Sequence, residues 1–272
     1  MMAAMPGTLS RLIAAGSLAC VAAFAPAHAA PGVFVDDLTW TELRDQVAAG
    51  RTTVIVPVGG TEQNGPHMTL GKHNARVRIL AGRIATALGD ALVAPVIAYA
   101  PEGGIAPPTA HMRFPGTVTV PTPAFEATLA SVARSFRLHG FRDIVFIGDH
   151  GGYQGSLQAV ARQLNHAWAS TPVRAHAVVE YYQAGDAALR DGLRARGFRD
   201  EEIGTHAGLA DTSLALGAAD SRSVRTRPGS TASAAEGTYG DPRRASAELG
   251  APGVNAIVTA TVEAIRRATR RR

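Results

Sequence analysis

Histidine and carboxylate side chains are concentrated in three short stretches of this 272-residue chain. The stretches are residues 59–74, 148–152 and 205–213, and they hold Glu62, Asn64, His73, Asp149, His150, His206 and Asp211. Cys20 is the only cysteine and falls in the N-terminal segment, so a metal site in the rest of the chain must use histidine and carboxylate ligands. The three stretches together predict a site for a hard or borderline metal ion.

Each of these residues also has a purely structural interpretation. Glu62 can cap the turn that follows it, His73 can cap the start of a helix, and Asp149 can accept hydrogen bonds from loop amides. A single histidine such as His150 is more often a buried, hydrogen-bonded residue than a metal ligand. The residue types alone leave both interpretations open, and it is the occurrence of three clusters that favours a metal.

Alternating strand and helix patterns predict how these clusters are positioned. Short apolar runs predict strands over residues 53–58, 91–97, 143–147 and 173–179. Helical spacing predicts helices over residues 74–88, 122–140 and 156–168, and a closing helix over 245–269 that glycines at 250 and 253 can break. Such alternation is typical of a parallel sheet covered on both faces, in which ligands gather beyond the carboxyl ends of the strands. Two of the clusters directly follow a predicted strand.

The N-terminus has the features of a secretory signal. Arg11 precedes an apolar stretch over residues 12–25, and the small residues Ala27 and Ala29 stand where a signal peptidase cleaves. We therefore expect a Sec-type signal peptide over residues 1–29, a single domain over residues 30–272, and a periplasmic or secreted protein. A lipoprotein would need leucine three residues before Cys20, where this chain has Ser17.

Charge and composition exclude several other classes. The chain is 46% hydrophobic and 18% charged, which is unlike a disordered or collagen-like protein. The net charge of +5 comes from Arg11 and from five arginines among residues 266–272, and the rest of the chain is close to neutral. No nucleic-acid-binding motif is present, and no later apolar run is long enough to span a bilayer. We expect neither a nucleic-acid partner nor, after signal cleavage, a membrane partner.

Five ordered segments resemble the motifs of the creatininase family. They are P-V-G-G-T-E-Q-N-G-P-H at 57–67, F-P-G-T at 114–117, G-D-H-G-G at 148–152, H-A-G-L-A-D-T-S at 206–213, and G-T-Y-G-D-P at 237–242 followed by E-L-G at 248–250. The resemblance implies a three-layer α/β/α sandwich with a mostly parallel sheet, commonly in homo-oligomers. It also implies hydrolysis of a C–N bond in a small cyclic or linear amide by metal-activated water.

The resemblance implies roles for individual residues, with two departures from the family pattern. Glu62, His150 and Asp211 match metal-binding positions, and His206 matches a histidine proposed to move protons. Asn64 stands where the family usually has a second metal-binding histidine, and His73 where it usually has an aspartate that bridges two metals. We expect one ion per chain, zinc, manganese or iron, held by Glu62, His73, His150 and Asp211.

Other residues are candidates to contact the metal ligands or the substrate. They are Asn64, Asp149, His111, Gly151 and Gly152, the last two because a loop amide there can stabilise an oxyanion. We also expect residues 101–113 and 217–241 to wall the pocket. The altered ligands leave an alternative function open, namely a catalytically inactive periplasmic binding or scaffold protein that retains the fold.

Overall fold

The computed structural model describes Met1 and residues 32–220, 222–225 and 233–270. Apart from Met1, the predicted signal peptide with Cys20 lies outside the described residues, as do several positions of the 217–241 segment and the last two arginines. Among the described residues, the part of the chain from Gly32 onward forms one compact unit. None of the helices described is long and apolar enough to cross a membrane.

Four parallel strands form the sheet in the described part of the chain: β1 (Thr53–Val58), β2 (Ala91–Val93), β3 (Asp143–Gly148) and β4 (Arg174–Ala177). Their order is β2-β1-β3-β4, and β1 pairs with β3 over its whole length. β2 is shorter than the predicted strand over 91–97 because Pro95 has no N–H to donate to the ladder. Only an isolated bridge from Val58 to Ile97 continues it. The edge strand β4 is likewise shorter than the predicted 173–179.

Eight helices surround this sheet in the described residues. They are α1 (Trp40–Ala48), α2 (Lys72–Leu88), α3 (Thr122–Leu138), α4 (Gln154–Ala167), α5 (Glu180–Ala195), α6 (Asp200–Ile203), α7 (Leu209–Gly217) and α8 (Ala247–Thr269). The sequence interpretation missed α1, α5 and the short helix α6. The break in α8 that the sequence allowed is also wrong, because the helix is continuous from Ala247 to Thr269 and Gly250 lets it pack closely against α7. A Cβ at Gly250 would overlap the carbonyl oxygen of Ser213 in α7.

Alternate residues of the central strand face different helical layers. Val54 and Val56 pack with Phe125 of α3, whereas Ile55 packs with Leu80 of α2 on the opposite face. This is the two-residue period of a strand that is buried on both sides. The result is the predicted three-layer α/β/α sandwich, with α3 and α4 on one face of the sheet and α2, α5 and α8 on the other.

The parallel sheet also determines where the polar clusters lie. Because all four strands run in the same direction, the segments that follow β1 and β3 leave the sheet at the same edge. The segment after β1 leads into α2, and the segment after β3 forms a short 3-10 helix, Gly151–Tyr153, before α4. A second 3-10 helix, Ala110–Arg113, comes from the loop between β2 and α3.

Candidate metal centre

Glu62, His111 and His150 form a compact set of potential metal ligands, here called the metal group. Glu62 follows β1, His150 follows β3, and His111 lies in the 3-10 helix Ala110–Arg113. One ligand atom from each residue lies within 4.8 Å of the other two. Glu62 Oε2 is 3.2 Å from His111 Nε2 and 3.7 Å from His150 Nε2.

Only one of the two carboxylate oxygens of Glu62 is hydrogen-bonded. Its side chain is 0% exposed, and Oε1 lies 2.7 Å from Nε2 of His73. Oε2 is buried and has no hydrogen-bond partner. A buried anionic oxygen without a partner is costly unless a cation neutralises it. Burial acts to raise the pKa of Glu62, but the hydrogen bond from His73 and the nearby charge of Lys72 hold it below its usual value.

The imidazoles of the site are in the protonation state that a metal requires. Burial lowers the pKa of His150 to about 4, against the opposing charge of Glu62. Burial also lowers the pKa of His111. Both rings are therefore neutral at pH 7, the charge state in which an imidazole can bind a metal through one of its two nitrogens. Two neutral imidazoles and one carboxylate, with an open side, match the three-ligand sets of catalytic zinc sites and also suit manganese. By this test the residues fit a divalent metal ion.

Lys72, Arg76, Asp149 and Asp211 form a second buried set, here called the ion-paired cluster. Lys72 Nζ lies 2.6 Å from Asp211 Oδ2, and Arg76 Nη1 lies 2.9 Å from Asp211 Oδ1. Arg76 also contacts Asp149 Oδ2 through Nη2, at 2.8 Å. The remaining oxygen of Asp149 accepts a hydrogen bond from Tyr181 Oη at 2.8 Å. Every carboxylate oxygen of this cluster therefore has a donor.

The ion-paired cluster contains Asp211, one of the metal ligands expected from the sequence. Asp211 was expected to bind metal, but Lys72 and Arg76 occupy both of its oxygens, and the amide of Ala207 donates to Oδ2 as well. Although burial acts to raise the pKa of Asp211, these two cations hold it well below its usual value. Asp211 is thus an ion-pairing residue outside the metal group. Lys72 is the only lysine of the chain.

His73 was also expected to bind metal, and instead it connects the two sets. Its Nε2 lies 2.7 Å from Glu62 Oε1, and its Nδ1 lies 2.6 Å from Asp149 Oδ2. Since both ring nitrogens are hydrogen-bonded to carboxylates, neither is left to face an ion. His73 therefore orients the carboxylate of Glu62, and His111 takes its place as the second histidine of the metal group.

His206 lies at the rim of the metal group. Its Nδ1 is 3.9 Å from Glu62 Oε1, and its ring centroid is 4.6 Å from that of His111. Gln63 holds both rings in place, with its Nε2 3.1 Å from His206 Nε2 and 3.0 Å from His111 Nδ1. Burial lowers the pKa of His206 to about 4, and the charge of Lys72 adds to this effect. Its imidazole is therefore neutral at pH 7.

A cavity of about 120 Å³ opens beside these histidines. Its lining includes His150, His206 and Asp211 together with Tyr182 and Arg190 of α5. Residues 101–113 and 217–241 were expected to wall the pocket, but no described residue of either range lines this cavity. The missed helix α5 supplies that wall.

The remaining predicted residues brace the loops. Asn64 donates from Nδ2 to the carbonyl oxygens of Glu62, at 2.8 Å, and Thr69, at 3.0 Å. The amide of Gly152 donates to His150 Nδ1 at 3.1 Å, so this N–H orients a ring of the metal group and is not free for an oxyanion. Gly151 lies against Tyr182, since a Cβ there would come within 2.8 Å of the hydroxyl oxygen.

Glu102 is a site residue that the sequence interpretation missed. It lies in the loop between β2 and α3, is 3% exposed, and both of its carboxylate oxygens lack a hydrogen-bond partner. Burial, and then the nearby charge of Glu62, raise its pKa to about 9. The stretch around it is rich in glycine and proline and has no periodicity, so nothing in the sequence marked Glu102 as buried beside Glu62.

Known proteins resemble this chain over most of its length. The family model for creatininase, described as creatinine amidohydrolase, matches residues 36–265. Creatinine amidohydrolase of Pseudomonas putida is 31% identical over 196 residues, which cover 68% of this chain and 71% of that protein. A mycofactocin precursor peptide peptidase of Mycolicibacterium smegmatis is 38% identical over 118 residues. That match spans 42% of this chain and less than half, 45%, of the peptidase.

Solved structures with the same fold carry metal ions. A creatininase with manganese and a variant creatininase of the Zn-Zn type each align with a TM-score of 0.69 and 26% identity. Each alignment covers 88% of this chain and 99% of the other chain. The relatives thus bind manganese or zinc, and this chain presents a Glu/His/His group that fits such an ion.

Proposed function

This chain belongs to the creatininase family, and we propose that it is a metal-dependent amidohydrolase that cleaves a C–N bond in a small cyclic or linear amide. The observation that carries the proposal is the metal group itself. A buried carboxylate oxygen without a partner faces two neutral imidazoles, next to a third imidazole and a cavity. A structural cluster of the same residues would satisfy its own polar atoms, as the ion-paired cluster does.

Glu62, His111 and His150 are the residues that would hold the ion. When bound, a divalent ion supplies Lewis-acid activation of water and of the amide carbonyl. His73 orients one of these ligands through its hydrogen bond to Glu62 Oε1. Such a partner keeps the ligand in place, so it belongs to the function although it does not touch the ion.

His206 is the residue we assign to proton transfer. Its Nε2 is held by Gln63, so Nδ1 is the nitrogen that faces the site. Being neutral, this imidazole can accept a proton from the attacking water and then deliver it to the nitrogen of the leaving group. The water oxygen ends on the acyl carbon as the C–N bond breaks, and the products are a carboxylate and an amine.

The cavity supports a small substrate. A volume of about 120 Å³ is well below the roughly 300 to 1,000 Å³ of pockets that enclose drug-sized ligands. It suits a small amide, or the end of a larger one whose remainder stays outside. The P. putida relative is named for creatinine and the M. smegmatis relative for a precursor peptide. Both kinds of amide therefore belong in a substrate screen.

We also propose one ion per chain, export through the N-terminal signal, and a homo-oligomer. The single ion is supported by the ion-paired cluster, because Asp211 has no oxygen left for a second ion and Lys72 already supplies a positive charge there. Elemental analysis of the purified protein should give about one zinc or manganese per chain. Two tightly held ions would contradict this. Cleavage of a reporter fused to residues 1–29, and light scattering of the purified protein, test the other two proposals.

The deciding experiment measures metal content and hydrolysis together. The protein is stripped with a chelator, reloaded with Zn²⁺ or Mn²⁺, and incubated with cyclic amides, N-acyl amino acids and dipeptides, with products followed by NMR. We expect hydrolysis only in the reloaded protein. His206→Asn should keep its metal and lose turnover. If the reloaded protein binds an amide but does not hydrolyse it, the alternative of an inactive binding protein is supported. The pairing of Asp211 with Lys72 and Arg76 is the observation that favours this alternative.

A further inference from the structure

Helix α5 presents a row of polar side chains to the cavity beside the metal group. Tyr182, Asp186 and Arg190 are spaced four residues apart, so they lie along one face of the helix, and all three line the cavity. The row begins near the metal ligands, because a Cβ at Gly151, the residue after His150, would come within 2.8 Å of the hydroxyl oxygen of Tyr182. From position 182 to position 190 the helix rises about 12 Å.

Arg190 is held at the other end of this row, on the side of His206. Its Nη2 donates to the carbonyl oxygen of Gly204 at 2.8 Å, and Gly204 is two residues before His206 in the chain. Its Nε donates to Asp186 Oδ1, also at 2.8 Å. Neither contact uses the N–H groups of Nη1. The guanidinium is therefore fixed in position and keeps donors for a ligand in the cavity.

Arg190 differs in exposure from the other cations of the cavity. Lys72 and Arg76 also line it, but their side chains are 1% and 5% exposed, and both are bound to carboxylates of the ion-paired cluster. The side chain of Arg190 is 21% exposed, and its carboxylate partner Asp186 is exposed to water, which weakens the pairing. Among the described residues that line the cavity, Arg190 is thus the most accessible cation.

We propose that Arg190 recognises a carboxylate on the substituent of the scissile amide nitrogen, so that the substrates are N-acylated amino acids, including the C-terminal ends of short peptides. The inference rests on the proposed amidohydrolase function. In that function the amide nitrogen lies near His206, which protonates it as the C–N bond breaks. Because Arg190 is anchored two residues before His206, it faces the group attached to that nitrogen. A guanidinium binds both oxygens of a carboxylate. Hydrolysis would then consume one water and release a carboxylic acid and a free amino acid.

Two matched substrates test this recognition. N-acetylglycine and N-acetylethanolamine have the same scissile bond, but the first carries a carboxylate where the second carries a neutral hydroxymethyl group. We expect the metal-loaded protein to have a kcat/KM about 10- to 100-fold higher for N-acetylglycine, the factor that a hydrogen-bonded charge pair contributes. Most of the difference should lie in KM, because the carboxylate is away from the reacting bond. Release of glycine from N-acetylglycylglycine shows whether the end of a peptide is also accepted.

Variants at position 190 connect this preference to the guanidinium. Arg190→Gln should bring the ratio of the two kcat/KM values toward one, and Arg190→Lys, which keeps the charge without the fork, should give an intermediate ratio. A purely structural effect would lower both rates together and leave the ratio unchanged. Arg194→Gln is the matched control, because Arg194 lies one turn further along α5, pairs with Asp191 and Asp200, and does not line the cavity. Its ratio should equal that of the parent.

The outcomes separate this inference from the proposed function. If the parent hydrolyses amides without a carboxylate at least as well as N-acetylglycine, or if folded Arg190→Gln and Arg190→Lys keep the parent's ratio, the inference is overturned and the amidohydrolase function stands. If the metal-loaded parent hydrolyses no amide, the proposed function fails, and calorimetric titration with N-acetylglycine decides the inference. The dissociation constant should then rise about 10- to 100-fold in Arg190→Gln. Equal affinity, or no binding by the parent, would overturn the inference in that case too.

Discussion

The metal group and the ion-paired cluster are neighbours with opposite electrostatic arrangements. Both are buried and both contain carboxylates. In the ion-paired cluster, Lys72 and Arg76 supply the positive charge, and each oxygen of Asp149 and Asp211 has a donor. In the metal group, Glu62 Oε2 has no donor, and the adjacent Glu102 has none on either oxygen. The first set is neutralised by the chain itself, whereas the second has a carboxylate oxygen available to a cation.

This difference indicates where the chain keeps its capacity for chemistry. A buried charge is stable only when it is paired or coordinates a metal. Because Lys72 pairs with Asp211, a cation already occupies this part of the site. Glu62 Oε2 has no such partner and can still contact a metal ion. His73 joins the two sides, with Nδ1 on Asp149 and Nε2 on Glu62. The comparison makes predictions that differ for the two sets.

The largest effect is expected from Glu62→Gln. Removing the carboxylate of the metal group should lower metal affinity by more than the roughly 100-fold upper range for an indirect partner, and amide hydrolysis should be lost with it. Metal affinity is measured by elemental analysis after dialysis and by competition with a chromophoric chelator. The overall fold should be retained, as judged by circular dichroism, because Oε2 makes no internal bond. Parent-like metal content in this variant would show that Glu62 is only a structural residue.

Acid pH should lower the stability of the metal-free protein in two different pH ranges, one set by the histidines of the site and one by the ion-paired cluster. His150 and His206 have pKa values lowered to about 4, whereas unfolded histidine titrates near 6.5. Between these values the unfolded state binds more protons, so the stability of the metal-free protein should fall as pH falls from 6.5 to 4. The fall is up to about 3 kcal/mol for each imidazole.

The ion-paired cluster responds only at lower pH. Burial acts to raise the pKa of both aspartates, but nearby cations hold it below the usual value. Arg76 has the larger effect on Asp149, and Lys72 and Arg76 together act on Asp211. Their contribution is complete above about pH 4 and is lost below it. Urea denaturation of metal-free protein at pH 7, 5 and 3.5 separates the windows. His206→Asn should reduce the loss between pH 7 and 5, and an unchanged loss would contradict the assignment.

Lys72→Met should destabilise the fold while sparing the metal group. Breaking a buried ion pair by removing one partner costs about 3 to 5 kcal/mol, because the other charge remains buried. Arg76 still contacts Asp211 Oδ1, so we expect about 3 kcal/mol at pH 7 from urea denaturation. Adding Asp211→Asn should recover part of this loss, since both charges are then absent. A larger loss in the double variant would mean that the pair is not the source of the effect.

Local sequence patterns predicted the sheet and the residues that directly follow its strands. Glu62 and His150 come after apolar runs that predict buried strands, and parallel pairing of these strands brings them to one edge. His111 and Glu102 could not be placed in this way, because their loop has no periodic pattern. The pairing of Lys72 with Asp211 joins residues 139 positions apart and depends on how α7 packs beside α2. Such contacts are set by tertiary packing, which local sequence motifs do not describe.

The smallest effect tests how separate the two sets are. Tyr181 donates one hydrogen bond to Asp149 Oδ1, at 2.8 Å. Tyr181→Phe keeps the buried ring and removes only this donor, and Asp149 retains its bonds to Arg76 and His73. Since a carboxylate hydrogen bond contributes about 1.5 to 3 kcal/mol and other donors remain, we expect a loss near the lower limit of that range. Metal affinity should change less than about threefold, because Asp149 reaches Glu62 only through His73. A tenfold change in affinity would show that His73 transmits the state of Asp149 to the metal group, and the two sets would then have to be treated as one.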